Sequence, residues 1–387
     1  MIKRIFLYLF ILICVTGCYN YRELNDMAIV SGVSVSLSDN GYEVSVEVIN
    51  PKRQQDAAGS EEPDFIIYKG CDTSIQEALR KITTLSPKKL YLSHIGVLII
   101  DESVAKKNLP NILDYFLRNP EIRGQFYVLV GKSSDVLSIT TPLENISSDN
   151  ILNSLKTNAK DLGYANLVTF HDLVSAYLNP YQEIALPVVD IYGDKSKGNS
   201  VDNIKSTERG AYSVVSGIAI FKDNHFVHYL EGEDALIYNI VHGNAKNFLI
   251  KVNDKNDNFF VCEVLQEETD ISVHKDKRVT ISITGRAIIG ENFTTYNLED
   301  ANVIESFEKK LNLSLQDMVE DSVSKNIRQF HTDVYGFQLH FYQRYPSFIQ
   351  NLKRNWNDSV LDKLNIYVKS NIKLVEKGNL NGGITHE

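Results

Sequence analysis

Residues 33–48 read VSVSLSDNGYEVSVEV. In this segment valine or leucine alternates with other residues, mostly polar, on both sides of an Asn-Gly pair. Alternation with a period of two predicts β-strands, and Asn-Gly favours the tight turn of a hairpin. Glu43, Ser45 and Glu47 share one face of the second strand, and we predict that this face is solvated. The segment therefore predicts an antiparallel hairpin near the start of the folded chain.

Beyond the hairpin, predicted strands and helices alternate as far as residue 195. Short apolar runs at 65–68, 95–100 and 125–130 predict strands. Apolar residues at helical spacing predict helices at 75–82, 104–118, 149–160 and 169–178. Strands that alternate with helices indicate layered α/β structure. We place an N-terminal α/β domain at residues 18–195.

A polar stretch separates this domain from the rest of the chain. Residues 196–211 are rich in Lys, Ser, Asp, Asn and Gly, and we predict a linker there. Residues 212–387 show a hairpin at 214–230, further strands up to 289, a long helix at 304–330 and a last strand at 366–374. This order predicts a C-terminal α+β domain with an antiparallel sheet, which leaves room for two subdomains. The predicted fold class is thus mixed α/β and α+β, in more than one domain.

The first 18 residues have the pattern of a targeting segment. Two basic residues at positions 3 and 4 precede an uncharged apolar run at 5–15, and Thr16-Gly17-Cys18 follows. This pattern predicts a signal peptide at residues 1–17, since the apolar run is too short to span a bilayer. A Gly-Cys pair at this place is similar to the lipobox of bacterial lipoproteins, which predicts diacylglycerol on Cys18. The alternative is a secreted protein with no lipid.

Composition excludes several classes of protein. The chain of 387 residues has 40 Lys+Arg and 49 Asp+Glu, a net charge of −9. This charge argues against general binding of nucleic acid, whose phosphates require a basic surface. Four cysteines are too few for a disulfide framework. We expect Cys71 and Cys262 to be small buried side chains, although a disulfide between them stays open.

The chain shows no pattern that predicts catalysis or metal binding. The spacings of glycine-rich phosphate loops, of the Gly-x-Ser-x-Gly elbow and of His-Glu-x-x-His are all missing from the sequence. His225 and His228 lie three apart on a predicted strand, so they point to opposite faces and do not share a metal. We predict no catalytic, metal or cofactor-binding residue, apart from the covalent diacylglycerol and N-acyl lipid at Cys18.

Taken together, several segments resemble the Ger(x)C family, the C-subunit lipoproteins of nutrient germinant receptors in endospore-forming bacteria. The resemblance spans the chain in order, and it rests on residues 17–26, 74–80, 92–95, 116–123, 217–223, 333–337, 344–346 and on Trp356. It implies mixed α/β domains without enzymatic activity, anchored by lipid on the extracytoplasmic side of the inner spore membrane. It also implies two integral-membrane partners, the A and B subunits.

These considerations lead to one main hypothesis and one alternative. The main hypothesis is a lipid-anchored, non-enzymatic receptor subunit that acts as scaffold or coupling element for the A and B subunits. The alternative is a lipid-anchored solute-binding protein that captures the germinant itself. Within the segments of resemblance, we expect Trp356 to pack in the core. We expect Arg118, Glu121 and Arg123 to form a capped turn with ion pairs, with a contact to another subunit as the alternative.

Overall fold

A computed structural model describes residues 26–50, 63–141, 144, 146–254, 258–352 and 355–376. The described strands and helices form a mixed α/β and α+β fold with two sheets. The strands are β1 (Met27–Ser38), β2 (Gly41–Ile49), β3 (Phe65–Asp72), β4 (Lys89–Tyr91), β5 (Val97–Asp101), β6 (Tyr127–Gly131), β7 (Ala185–Gly193), β8 (Ala211–Lys222), β9 (His225–Leu230), β10 (Asn247–Asn253), β11 (Phe259–Val273), β12 (Arg278–Asn292) and β13 (Asn365–Glu376).

The helices follow the predicted ones closely in the N-terminal half. They are α1 (Ile75–Ile82), α2 (Glu102–Ala105), α3 (Leu109–Arg118), α4 (Ser147–Asp161), α5 (Phe170–Leu178), α6 (Lys195–Gly198), α7 (Val201–Lys205), α8 (Glu233–Val241), α9 (Ala301–Phe330), α10 (Phe337–Arg344), α11 (Pro346–Leu352) and α12 (Trp356–Ser359). Among the described residues, no helix has the length and apolarity needed to cross a bilayer.

The predicted hairpin is confirmed and lies inside the larger sheet. Strands β1 and β2 pair in antiparallel fashion, with Val35 opposite Val44 and Ser38 opposite Gly41. The turn residues are thus Asp39 and Asn40, one position before the predicted Asn-Gly pair. Gly41 follows them with φ of +127°, a backbone conformation that favours glycine. The sheet has nine described strands in the order β3-β2-β1-β5-β6-β7-β8-β9, and β4 pairs with the start of β1.

Helices cover both faces of this sheet. On one face, the apolar sides of α1, α3 and α5 pack on buried valines and leucines of the central strands. On the other face, α4 packs through Ile151 and Leu155 against Val97, Ile99 and Leu129. Because β5 and β6 are parallel to their neighbours and covered on both sides, their residues are apolar with little alternation, whereas β1 keeps the alternation of valine and serine at 33–36. This arrangement is the predicted layered structure.

The second sheet has the order β10-β11-β12-β13, and α9 packs along it. The first three strands are antiparallel, as predicted, whereas β13 runs parallel to β12. Helix α9 buries Phe307, Leu311, Leu315 and its later apolar residues against the sheet, which confirms the predicted long helix. Trp356 is buried beside Phe341, as expected.

The predicted linker does not separate the two sheets. The hairpin of β8 and β9, which we placed in the C-terminal domain, pairs with β7 and completes the N-terminal sheet. Residues 196–211 hold the short helices α6 and α7, and Asn203 in α7 is buried. The sheets therefore divide the chain after Leu230, whereas the domain bounds 18–195 and 212–387 stay a prediction.

Candidate functional site

The site residue predicted from sequence, Cys18, lies outside the described residues, so its lipidation stays a prediction. The described chain begins at Asp26, and β1 begins at Met27. Met27 lies opposite Lys89 in the parallel pair of β1 and β4. The point where the chain enters the fold is therefore fixed beside β4.

A cleft opens next to this point, between α1 and α3. It has a volume of about 640 Å³ and is lined by residues of both helices, of β4 and of the turn after α3. Three of the segments that carry the family resemblance contribute to it: 74–80, 92–95 and 116–123. No spacing in the sequence indicates that these segments meet. A cleft of this size lies in the usual range for small-molecule sites.

Helix α1 is positioned by a capped N-terminus at the edge of the cleft. The Ser74 hydroxyl accepts a hydrogen bond from the Glu77 backbone N–H at 3.2 Å. The Glu77 carboxylate accepts hydrogen bonds from the hydroxyls of Thr73 at 2.7 Å and Ser74 at 2.8 Å. Both bonds to the carboxylate lower the pKa of Glu77, and the bond from Thr73 has the larger effect. Ser74 is thus the N-cap that ends the loop and starts the helix.

Helix α3 is tied to the sheet by its own polar contacts. Asn111 Nδ2 donates a hydrogen bond to the Tyr42 hydroxyl of β2 at 2.7 Å. At the other end of the helix, Asn119 Nδ2 donates to the Tyr115 hydroxyl at 3.2 Å, and Asn119 Oδ1 accepts from the Glu121 backbone N–H at 3.0 Å. Pro120 follows and prevents a further helical turn. The wall of the cleft is therefore held at both ends.

The turn after α3 has the predicted ion pairs at Arg118 and Glu121, with partners that the sequence did not identify, and the prediction is wrong for Arg123. Arg118 Nε lies 2.7 Å from Asp114 Oδ1, one helical turn earlier. Glu121 Oε1 lies 2.6 Å from Lys89 Nζ of β4. Arg123 is exposed and has no ion pair among the residues that the structure describes. The turn is thus a capped turn that joins α3 to β4.

The cleft carries more positive than negative charge, although the chain as a whole is acidic. Arg80, Lys89 and Arg118 line it together with Asp114 and Glu121. Within the described part of the chain, the Arg80 guanidinium has neither a hydrogen bond nor an ion pair. The four paired side chains are between 38% and 78% exposed. Exposed ion pairs of this kind contribute little to stability, so their cations remain open to an anionic ligand.

A second polar cluster lies on the opposite face of the sheet, around Glu47. We predicted a solvated face for the polar residues of β2, and this prediction is wrong for two of them, because Ser45 is buried and the side chain of Glu47 is fully buried. Its carboxylate accepts hydrogen bonds from the backbone N–H groups of Ser147 at 2.8 Å and Ser148 at 3.0 Å, and from the Ser31 hydroxyl at 2.9 Å. Burial raises the pKa of Glu47 to about 7.

Glu47 is therefore the anchor of helix α4. The first N–H groups of a helix have no partner within the helix, and their partial positive charge favours a carboxylate. Glu47 supplies that carboxylate from a strand 100 residues earlier in the chain. No spacing in the sequence marks such a pair, so sequence reasoning missed it. The contacts of this cluster join β2 to the start of α4 and thus hold the fold together.

The two cysteines of the described fold differ in their surroundings, and both are free. Cys262 is fully buried, as predicted, and burial raises the pKa of its thiol to about 12. Cys71 is exposed, which contradicts the prediction of a buried side chain, and its thiol donates to Glu43 Oε2 at 3.5 Å. The disulfide that the sequence left open does not form.

No metal site is found in the described parts of the chain, where no three or more His, Cys, Asp or Glu side chains form a group able to hold an ion. His225 is exposed, whereas His228 stacks on Phe330 with ring centroids 3.2 Å apart. The two histidines thus lie in different environments.

Comparison with known proteins gives matches over nearly the whole chain. Residues 20–191 match the family described as spore germination protein N-terminal domain. Residues 216–378 match the family described as spore germination B3/GerAC like, C-terminal. Spore germination protein KC of Bacillus subtilis (strain 168) is 25% identical over 97% of this chain and 95% of its own length. Putative spore germination protein YfkR of the same organism is 23% identical, covering 97% of both chains.

One solved structure shares the fold. The crystal structure of the GerBC protein superposes with a TM-score of 0.56 and 16% sequence identity. The superposition covers 89% of this chain and 97% of that chain. The described architecture, with its two sheets and long C-terminal helix, is therefore the fold of that protein.

Proposed function

Because the chain belongs to the Ger(x)C family of spore germination proteins, we propose that it is the lipid-anchored C subunit of a nutrient germinant receptor. Membership of this family gives the chain a role in spore germination. In the proposal it is not an enzyme. It is a scaffold or coupling element for the integral-membrane A and B subunits, on the extracytoplasmic side of the inner spore membrane. The observation that carries the proposal is the match of both halves of the chain, in order, to spore germination families.

The proposed anchor is diacylglycerol on Cys18, with a second acyl group on its amino nitrogen. The basic start, the apolar run and the Gly17-Cys18 pair support it. Stable attachment to a bilayer takes more than one acyl chain, and a lipidated amino-terminal cysteine has several. Acyl chains are also needed because a net charge of −9 gives no attraction to an anionic membrane.

The proposal is tested with spores that contain either the wild-type chain or the Cys18→Ala variant. We expect metabolic labelling with an alkyne palmitate to mark the wild-type chain and to leave the variant unlabelled. The variant should leave the membrane fraction, and the fall in optical density after addition of nutrients should slow. Co-purification of the A and B subunits with the wild-type chain tests the partnership directly.

The matched control is Cys71→Ala, which removes the exposed cysteine of the fold and leaves Cys18 in place. We expect this control to behave as the wild type in labelling, fractionation and germination. If the Cys18→Ala chain kept its lipid label, or if it stayed in the membrane and supported normal germination, the anchoring part of the proposal would be wrong.

The alternative, direct capture of the germinant by this chain, is tested by calorimetry. The chain from residue 18 with Cys18→Ser is titrated with candidate amino acids, sugars and nucleosides. Saturable binding at micromolar concentration would favour the alternative over the scaffold.

A further inference from the structure

The cleft between α1 and α3 lies beside the start of β1. Strand β1 is the described strand nearest in sequence to Cys18, the proposed anchor. Lys89 and Leu90 of β4 line the cleft, and they lie opposite Met27 and Ala28 at the start of β1. Asp26 is eight residues from Cys18, a distance of at most about 29 Å for a fully extended chain. The position of the cleft relative to the membrane rests on the proposed function, in which Cys18 carries lipid. The lipid then keeps the start of β1, and the cleft beside it, within about 29 Å of the lipid headgroups.

The cations of the cleft match the chemistry of a phosphate. Arg80 has no partner within the described chain, and Arg118 is bonded only through Nε, so its two terminal nitrogens remain available. A guanidinium binds phosphate oxygens through two parallel hydrogen bonds, which are stronger than bonds between neutral groups. Lys89, which pairs with Glu121 at 2.6 Å, also lines the cleft. The lining therefore holds two guanidinium groups and one ammonium group that a phosphate can bind.

Apolar residues line the same cleft. Ile75 and Leu79 come from α1, and Leu90 and Leu92 from β4 and the turn that follows it. These side chains form the buried floor, since each is at most 7% exposed. A ligand that has only a phosphate leaves this floor unused, whereas a phosphate joined to a glycerol and the first part of an acyl chain contacts both parts of the lining.

We propose that the cleft binds the glycerophosphate headgroup of an anionic membrane phospholipid. The phosphate lies between Arg80, Arg118 and Lys89, and the glycerol and upper acyl carbons contact Leu79 and Leu90. Binding displaces the exposed Asp114 carboxylate from Arg118 at little cost. The consequence is orientation: the acyl anchor fixes the distance of the domain from the bilayer, and the occupied cleft fixes which face of the domain meets it.

The test uses the chain from residue 18 with Cys18→Ser, which keeps every described residue. It is titrated by calorimetry with dihexanoyl phosphatidylglycerol below its micelle concentration. We expect saturable binding that Arg80→Ala weakens about tenfold, since it removes charged hydrogen bonds. Lys369→Ala, which removes an exposed lysine of β13 on the other sheet, should leave binding unchanged. Equal denaturation midpoints show that both variants are folded.

Two further ligands identify the source of the anion. Glycerol phosphate should bind much more weakly, and dihexanoyl phosphatidylcholine should bind more weakly than phosphatidylglycerol. Equal binding of glycerol phosphate would assign the cleft to a free phosphate, and equal binding of the choline lipid would show that headgroup charge is not recognised. Either result, or no binding of phosphatidylglycerol, overturns the proposal. The chain in this test carries no lipid, so its outcome is separate from the labelling of Cys18.

Discussion

Glu47 shows how one side chain makes the fold depend on pH. Its carboxylate is fully buried with three hydrogen-bond donors and no described cation, and burial raises its pKa to about 7 from an ordinary 4.5. A group whose pKa is higher in the folded state than in the unfolded state stabilises the fold. This contribution to the free energy of unfolding has its full size at pH values below the pKa of the unfolded state. That contribution is lost as the pH rises through the folded pKa. The relevant window is therefore pH 4.5 to about 7.

We predict that Glu47→Gln removes one share of the loss of stability between pH 5 and pH 8; burial also raises the pKa of Glu183 and Glu267 to about 7 and that of Asp333 to about 6, and these groups keep their shares. A shift of this size corresponds to roughly 3 kcal/mol in the free energy of unfolding at most. Glutamine keeps the acceptor oxygen for the α4 N–H groups but carries no charge at any pH. Urea denaturation of the wild type and the variant at both pH values measures the difference.

The control for this prediction is Glu43→Gln, on the same face of β2. Glu43 is partly exposed and lies 3.6 Å from Lys69, so this substitution leaves the buried cluster intact. We expect it to keep the pH dependence of the wild type. An unchanged pH dependence in Glu47→Gln would show that Glu47 is not the group that titrates.

The two thiols give a prediction at the same scale. In the chain with Cys18→Ser, we expect a thiol reagent at pH 8 to modify Cys71 in the folded protein and Cys262 only after unfolding. The reason is that Cys71 is exposed, whereas Cys262 is fully buried and its pKa is raised to about 12. Mass spectrometry of the labelled peptides measures this. Two unreactive cysteines before reduction would instead indicate a disulfide.

At the scale of elements, the polar segment at 196–211 is ordered by a single amide. Asn203 Nδ2 donates to the backbone oxygens of Thr140 at 3.0 Å and Ala211 at 3.2 Å. Its Oδ1 accepts from the backbone N–H groups of Gly210 at 3.0 Å and Ala211 at 3.3 Å. One buried side chain thus satisfies four backbone groups around the start of β8.

We predict that Asn203→Ala lowers the free energy of unfolding by about 2–4 kcal/mol, because it leaves several buried backbone groups without partners. Trypsin should then cut the segment at Lys205 or Arg209 much faster than in the wild type. The control is Asp202→Ala. Because Asp202 is an exposed neighbour of Asn203 in α7, this substitution should change neither the stability nor the rate of cleavage. Equal cleavage of Asn203→Ala and wild type would contradict the role of the amide.

Elements with a clear period were predictable, and elements without one were not. Helix α9 was placed at 304–330 and runs from Ala301 to Phe330, because its apolar residues keep helical spacing. Helix α8 was missed because all residues from Ala235 to Val241 are buried, which leaves no polar face. The predicted helix 104–118 is two helices, with Pro110 in the first turn of the second.

The candidate site was predictable only in pieces. The sequence identified the segments around Ser74, Leu92 and Arg118, but their meeting depends on the pairing of β4 with the start of β1, about 60 residues away. Such long-range pairs leave no local spacing to detect. The same holds for Glu47 and α4. Local chemistry could be predicted from the sequence, whereas the contacts that assemble a site could not.

At the scale of the whole molecule, β8 is the element that joins the two sheets. Val215 of this strand packs in the core under α4, and Ala219 and Phe221 pack in the core under α1, α3 and α5. Ile218 and Ile220, together with Leu230 of β9, pack in the core of the second sheet and α9. One hairpin therefore contributes to all three cores, which explains why a break in composition before it does not mark a break in structure.

This arrangement predicts how the chain tolerates truncation. A fragment of residues 18–211 with Cys18→Ser loses β8 and β9, so β7 becomes an exposed apolar edge strand, which favours aggregation. A fragment of residues 18–230 keeps the whole nine-stranded sheet and exposes only the side chains that face the second core.

We expect the longer fragment to be soluble and to unfold cooperatively, and the shorter one to aggregate. Size-exclusion chromatography and circular dichroism measure both properties. Equal behaviour of the two fragments would show that the domain ends at the predicted linker and that the β8–β9 hairpin belongs to the C-terminal unit.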